Sequence, residues 1–320
     1  MSASKVRWAV VPAAGLGTRM LPATKAIPKE MLTVADAPLI EHVVREAAAA
    51  GIADVVIITA EGKDALRAHF ERAPALDAAL RARGKAAQAD ELVGLERLAR
   101  LHWVIQEEPR GLGHAVLCAR ATVNGNGGGA GGGRSGGGKG GSGSDNEPFA
   151  VLLPDELFIT APGTPSATAQ LCEVFERTGG GGAIATAEVP AEEVSRYGIL
   201  DARRDAAGVW RVSDLVEKPA PDRAPSHLAV IGRYVLPGRT FAALARTAPG
   251  HGGEIQLTDA LRVLAREGGV VAAEVRARRI DAGNTVGWLL ANAELALQNP
   301  LLRAPFAAGL RALLRGAGEA

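Results

Sequence analysis

Gly15-Leu16-Gly17-Thr18-Arg19-Met20-Leu21-Pro22-Ala23-Thr24-Lys25-Ala26-Ile27-Pro28-Lys29 follows directly on the apolar run Trp8-Ala9-Val10-Val11-Pro12. The run reads as a buried strand and the glycines as the loop that leaves it. Without side chains at Gly15 and Gly17, backbone N–H groups can come close to a bulky anion. Arg19 adds a planar fork for phosphate oxygens, and Lys25 and Lys29 add point charges. Pro28 disfavours helical geometry at Ile27, so the two lysines need not share a helix face. An irregular loop around a polyphosphate suits this better than a turn with incidental basic residues. A dinucleotide fingerprint would need a small residue where Met20 stands and an acidic residue ending the second strand. A P-loop would need Gly-Lys-Ser/Thr, which is absent.

Outward from this loop, strand-like and helix-like segments alternate. Pro38 opens a helical pattern with Ile40, Val43, Val44 and Ala47 on one face, and Gly51 suits its exit. Val55 to Thr59 is a continuous apolar run, as expected of a strand covered on both faces. Such a strand–helix–strand unit implies parallel pairing with a right-handed crossover. Further strands are expected near His102–Gln106, Phe149–Leu153, Ala183–Ala187, Gly208–Val216 and Ala229–Leu236. Helices are expected from about Gly113 and over Ala169–Arg177. From Asn284 onward the chain is Leu/Ala-rich and expected to be helical, broken at Pro300 and Pro305. No fixed-period repeat points to a solenoid.

Composition narrows the classes of partner. The 320 residues are 47% hydrophobic and 22% charged, so the chain is expected to fold. Thirty-six basic against 35 acidic residues give no global field for nucleic acid or an anionic membrane, so a bound anion needs a local site. No apolar stretch approaches the ~18 residues of a membrane span, and no signal-peptide pattern opens the chain. Cys118 and Cys172 are too few and too far apart for a disulfide framework or zinc knuckle, and both are expected to be buried thiols. These features suit a soluble protein of a reducing, cytoplasmic compartment. Residues 124–147 hold 13 of the 40 glycines, too little apolar surface to offset ordering, and so read as a flexible insert. Deleting 126–144 is expected to leave folding and KM nearly unchanged.

At this point the sequence resembles the sugar-1-phosphate nucleotidylyltransferases. Besides the glycine loop, these motifs stand in family order: Gln106-Glu107-Glu108-Pro109-Arg110-Gly111-Leu112-Gly113-His114-Ala115-Val116, Leu153-Pro154-Asp155, Tyr197-Gly198, Val216-Glu217-Lys218-Pro219, Ile231-Gly232-Arg233-Tyr234, Glu254-Ile255-Gln256-Leu257-Thr258-Asp259-Ala260 and Asp281-Ala282-Gly283-Asn284. The wording at Pro28–Leu32 and Gly111–Val116 is similar to the bacterial uridylyltransferase branch. The resemblance implies an α/β fold: a Rossmann-like mixed, mainly parallel sheet flanked by helices, of the nucleotidyltransferase or glycosyltransferase-A kind. It implies one catalytic domain over residues 1–298, carrying the 124–147 insert, followed by a helical extension at 299–320.

The reaction implied is attack of glucose 1-phosphate on the α-phosphorus of UTP, releasing pyrophosphate, and Mg²⁺ is the expected cofactor. Arg19 and Lys29 would hold the triphosphate and steady charge at the α-phosphoryl group. Asp155, after an apolar strand, would hold Mg²⁺, with Asp281 as a second carboxylate. Caps of the following segments are the plain alternatives for both. Base reading falls by resemblance to Gln106 and Gly113 with the backbone of Ala14 and Gly15, Gly113 leaving room for the base. Gly17 belongs to the nucleotide loop, and His114 reads as helix-start packing. Glu217 would take glucose hydroxyls, Lys218 the sugar phosphate, and Gly198 would offer backbone contacts; a surface ion pair is the alternative for Glu217 and Lys218. Glu254–Ala260 reads as structural packing of the sugar half. A homo-oligomer, dimer or tetramer, is expected from the resemblance alone. A thymidylyltransferase using dTTP and a non-catalytic nucleotide-sugar-binding homologue are the competing readings.

Overall fold

Alternating side chains along the strand Trp8–Pro12 point to opposite sides, and both sides are apolar: Trp8 and Val10 pack into one core, Ala9 and Val11 into another. The same alternation divides Val56 and Ile58 from Val55 and Ile57. A strand buried on both faces must sit inside a sheet with helices on each side. The computed structural model, which describes residues 6–125, 147–316 and 318, has that arrangement.

In chain order the strands are β1 (Trp8–Pro12), β2 (Thr33–Val34), β3 (Ala37–Pro38), β4 (Asp54–Thr59), β5 (Arg100–Ile105), β6 (Phe149–Leu152) and β7 (Glu156–Ile159). They continue as β8 (Ala183–Glu188), β9 (Gly198–Arg204), β10 (Trp210–Glu217), β11 (Leu228–Leu236), β12 (Val271–Ala273) and β13 (Arg278–Asp281). Among the described residues nine form one sheet in the order β5-β4-β1-β6-β11-β8-β12-β10-β9. β2 pairs with β3 and β7 with β13 as two small antiparallel ribbons.

Parallel pairing holds across β5, β4, β1 and β6 and between β8 and β12. The remaining four neighbouring pairs are antiparallel, so the mainly parallel sheet of the sequence reading is parallel in its amino-terminal half and mixed beyond it. The cause is two reversed strands: β11 runs antiparallel to both β6 and β8, and β10 to both β12 and β9. Helices Leu112–Cys118, Thr240–Arg246 and Leu257–Arg266 cover one face; Leu39–Ala49, Asp64–Phe70 and Ala167–Arg177 cover the other. β4 and β6 flank β1 on opposite sides, so the chain leaving β1 and the chain leaving β6 diverge at a crevice beyond their carboxyl ends. That is where open α/β sheets place ligands.

The carboxyl-terminal helices differ from expectation at one proline. A helix spans Thr285–Gln298 and another Arg303–Gly316, running through Pro305 rather than breaking there. Pro305 occupies the first turn, where a missing N–H costs nothing. Cys118 is half-buried and Cys172 buried, each as a thiol. Among the described residues no helix is long and apolar enough to cross a membrane. Most of the 124–147 insert lies outside the described residues.

Candidate active site

Three short 3₁₀ turns, at Thr18–Met20, Ala23–Lys25 and Lys29–Met31, carry the chain from β1 around a cleft of about 500 Å³. Gly17 turns the loop with φ +66°, a left-handed value that favours glycine, and Thr24 Oγ1 donates to its carbonyl at 2.8 Å. At Gly15 an added Cβ would meet nothing within 4 Å, so the protein leaves the approach to this backbone open. Ala14, Gly15, Gly17, Arg19, Lys29, Gln106, Asp155 and Glu254 line the same cleft, with Gly283 at its edge. Arg19 is exposed there; Lys25 is exposed and lies outside the lining.

Lys29 and Asp155, 126 residues apart, meet at 2.6 Å between Nζ and Oδ2. Burial alone would raise the Asp155 carboxyl, but Lys29 wins and holds it below the usual carboxylate range. Burial likewise works to lower the Lys29 ammonium, and Asp155 with Glu30 outweighs it, so its pKa is raised. Asp281 ends β13, and its carboxylate and that of Asp155 both crowd the space beside Gly283: a Cβ there would lie 2.8 Å from Asp155 Oδ2 and 3.0 Å from Asp281 Oδ1. Asp281 Oδ1 accepts from the Gly283 amide at 2.9 Å, and Arg196 Nη2 donates to Oδ2 at 3.2 Å. The cap of the helix Thr285–Gln298 is Asn284, whose side chain accepts from the Gly287 amide; Asp281 is not that cap. No cluster of three or more metal-ligating side chains occurs among the described residues. Two carboxylates close together beside Gly283, in the cleft of the open Gly15 loop, nonetheless suit Mg²⁺, which takes one or two carboxylates and completes its shell with waters and phosphate oxygens.

The expected sugar-phosphate residues are brought together by strand pairing. Gly198 opens β9 opposite Glu217, the last residue of β10. Glu217 Oε2 accepts from Thr258 Oγ1 at 2.6 Å, and Lys218 Nζ stands 3.5 Å from Glu217 Oε1. A Cβ at Gly198 would lie 3.2 Å from both Glu217 Oε2 and Thr258 Oγ1, so the glycine keeps this corner open. Lys218 has φ +44°, a left-handed value unusual for a residue with a side chain and of the kind that gathers at functional sites. Tyr197, one residue before Gly198, has its hydroxyl 3.5 Å from Arg279, whose fork makes two 2.6 Å bonds to Glu156 next to Asp155. These contacts tie the sugar corner to the carboxylates.

Several supporting residues escape a sequence reading. Lys63 Nζ donates to the carbonyls of Ala13 and Gly15, at 2.6 and 2.7 Å, and stands 3.0 Å from the buried Glu30, fixing the exit of β1. Burial pushes the Glu30 carboxyl up despite Lys63 and Lys29. Arg233, 1% exposed, donates to the carbonyls of Leu153 and Glu156 on either side of Asp155 and pairs with Glu46 at 2.8 Å. An arginine in the middle of the apolar run Leu228–Leu236 was the available signal. Gly113 is absent from the cleft lining; it is demanded by packing, since a Cβ would lie 2.7 Å from the Ile255 carbonyl. Of Glu254–Ala260, read from sequence as packing the sugar half, Thr258 does contact Glu217, while Glu254 also lines the cleft and Ile255 O accepts from Gly113 N at 2.8 Å.

Comparison with known proteins identifies the family. The nucleotidyl transferase family profile matches residues 8–296. A UTP–glucose-1-phosphate uridylyltransferase of Bacillus subtilis strain 168, YngB, is 42% identical over 97% of this chain and 96% of its own. The solved UDP-glucose pyrophosphorylase of Acinetobacter baumannii aligns with TM-score 0.82 at 35% identity, covering 96% of this chain and 99% of that one. A UTP-bound structure from the same organism aligns with TM-score 0.81 at 35% identity, covering 95% and 98%. The chain belongs to the nucleotidyl transferase family.

Proposed function

We propose that this chain forms UDP-glucose and pyrophosphate from UTP and α-D-glucose 1-phosphate. The observation that carries the reading is the single cleft holding the Gly15–Arg19 loop, Gln106 and the Lys29–Asp155 pair. The near-full-length likeness to uridylyltransferases supports the choice of substrates. A non-bridging oxygen of the sugar phosphate attacks the α-phosphorus in line. The bond to the β-phosphate oxygen breaks, and its electron pair leaves with pyrophosphate. No proton need move, so the protein's work is positioning and charge neutralisation.

Arg19, exposed at the loop, and Lys29 take the triphosphate oxygens and steady charge as it moves toward the leaving pyrophosphate. The open backbone at Ala14 and Gly15, with Gln106, holds the uracil. Glu217 orients glucose hydroxyls, Lys218 its phosphate, and Gly198 leaves the sugar room. Asp155 and Asp281 would hold Mg²⁺, which when bound neutralises phosphate charge. Self-association fits the exposed Val286, Leu289 and Leu290 on the helix Thr285–Gln298.

The test is pyrophosphate release by the intact protein given UTP, glucose 1-phosphate and Mg²⁺. Turnover with UTP is expected; release with dTTP at a higher kcat/KM favours the thymidylyltransferase reading, and none with either nucleotide refutes catalysis.

A further inference from the structure

The amide of Gln106 lines the cleft yet is itself held in place. The residue is 6% exposed, and its backbone N–H is anchored on the Thr59 carbonyl at 2.8 Å. Nε2 lies 3.3 Å from the carbonyl oxygen of Gly111 and 2.8 Å from His114 Nδ1. A carbonyl oxygen can only accept, so the amide nitrogen, not its oxygen, must face Gly111. Both Nε2 hydrogens are then committed, one to Gly111 and one to a bare lone pair on His114 Nδ1. The imidazole accordingly carries its proton on Nε2. Burial and the nearby Arg110 favour the neutral ring, against the weaker pull of Glu108. Gln106 Oε1 accepts no hydrogen bond from any described side chain or backbone group.

We infer that His114 is a positioning residue for base specificity: it locks the Gln106 amide so that only an acceptor, Oε1, is offered to the base. Uracil presents a donor at N3 and satisfies that oxygen. Cytosine presents a lone pair at N3 and is repelled. Thymine also carries N3–H, so the lock separates uracil-type from cytosine-type edges and is indifferent to the 5-methyl group. The inference rests on the reading of Gln106 as a base contact. It adds what determines which way the amide is turned. A site built to hydrogen-bond one partner can reject an analogue lacking that group by ~10⁴–10⁵. Removing one of two contacts that fix the amide should erode the discrimination by about 10- to 100-fold.

The experiment compares kcat/KM for UTP, CTP and dTTP in the unmodified protein, His114→Ala and His114→Asn. Asparagine can set an acceptor oxygen where Nδ1 stands; alanine cannot. For His114→Ala the UTP/CTP ratio should fall about 10- to 100-fold, mostly through KM for UTP, with kcat and KM for glucose 1-phosphate within a few-fold. The UTP/dTTP ratio should not move, and His114→Asn should restore most of the UTP/CTP ratio. If alanine does not fold, His114→Phe keeps a ring and lacks the acceptor. Calorimetric binding of UDP against CDP gives the same comparison without turnover, so absence of activity overturns the proposed reaction and not this inference. An unchanged UTP/CTP or UDP/CDP ratio in the alanine or phenylalanine variant overturns it. So does an unmodified protein that takes CTP or CDP as readily as the uridine nucleotides.

Discussion

Arg233→Met should cost more stability than any change at the cleft surface. The nearly fully buried guanidinium makes five bonds: Nε to Glu46 Oε1 at 3.1 Å, Nη2 to Glu46 Oε2 at 2.8 Å, Nη1 to Leu153 O at 2.8 Å and to Gly232 O at 3.3 Å, and Nη2 to Glu156 O at 2.7 Å. Its carbon also sits 4.8 Å from the centre of the Phe158 ring. Methionine fills much of the volume but leaves Glu46, 9% exposed at its side chain, with only the Thr168 amide and hydroxyl as donors. Breaking a buried pair from one side costs about 3–5 kcal/mol, because the remaining charge is stranded. Against a total stability on the order of 5–15 kcal/mol, that is a third or more.

The pair is separable from simple packing by a cycle. Arg233→Met with Glu46→Leu leaves no stranded charge, so the double variant should be about 2 kcal/mol more stable than the sum of the singles. Arg233→Lys keeps the charge, yet one ammonium cannot span Glu46 and both carbonyls. It should lose roughly 1–2 kcal/mol and lower kcat, since the bracketed segment carries Asp155. Urea unfolding read by circular dichroism, beside pyrophosphate release, measures both effects. A loss below about 1 kcal/mol for Arg233→Met, or strict additivity in the double variant, would refute the reasoning.

Lys29→Ala should lower kcat by roughly 10²–10³ while far-UV circular dichroism stays unchanged; undiminished turnover would remove Lys29 from the reaction. Gly113→Ala, whose Cβ would meet Ile255 O at 2.7 Å and the Gln256 carbonyl carbon at 2.9 Å, should cost about 1–3 kcal/mol in urea unfolding. Gly15→Ala meets nothing within 4 Å, so its stability should hold while KM for UTP rises. Asp214 is drawn down to about 2 chiefly by Arg262, whose Nε donates to Oδ1 at 2.6 Å, and Arg266 adds a second contact. A depressed carboxylate stabilises the fold above its ordinary pKa and loses that contribution as pH falls toward the folded value. Asp214→Asn should therefore cost roughly 1 kcal/mol at pH 7, discounted for partial exposure, and only a small fraction of that once pH has fallen to the folded value of about 2; equal costs at both pH values would contradict the assignment.

The parts that could be read from sequence are those whose chemistry forces a residue type. The two glycines and arginine after β1 and the acid after β6, picked out for the chemistry of a phosphate chain and a sheet-end ligand, do line one cleft. Strand and helix periods around Val55–Thr59 and Ile40–Ala47 follow from which faces are buried. The antiparallel run of β11 was not legible, because a nine-residue buried strand reads alike in either direction. Nor were the holders of the site. Lys63 and Arg233 act on groups 33 to 187 residues away and His114 on a neighbouring side chain, and nothing local demands their type. At Gly113 the motif marks the position, and the structure adds that contact with the Ile255 backbone also demands glycine there.

The sharpest division of labour lies in one three-residue turn. Lys29 and Glu30 are adjacent, yet Lys29 reaches the cleft while the Glu30 side chain is fully buried. Lys29 pairs with Asp155 at the end of β6; Glu30 pairs with Lys63, which also grips two carbonyls at the end of β1. The ends of the two strands are thus joined through alternating charges. In the proposed reaction a triphosphate would draw Lys29 from Asp155 to a phosphate oxygen, and the part-exposed Asp155 carboxylate would be left to Mg²⁺. Were Lys63 to leave Glu30, a buried carboxylate would be stranded at several kcal/mol. That asymmetry would let Lys29 exchange its partner for substrate in the proposed reaction while Lys63 holds the loop in place.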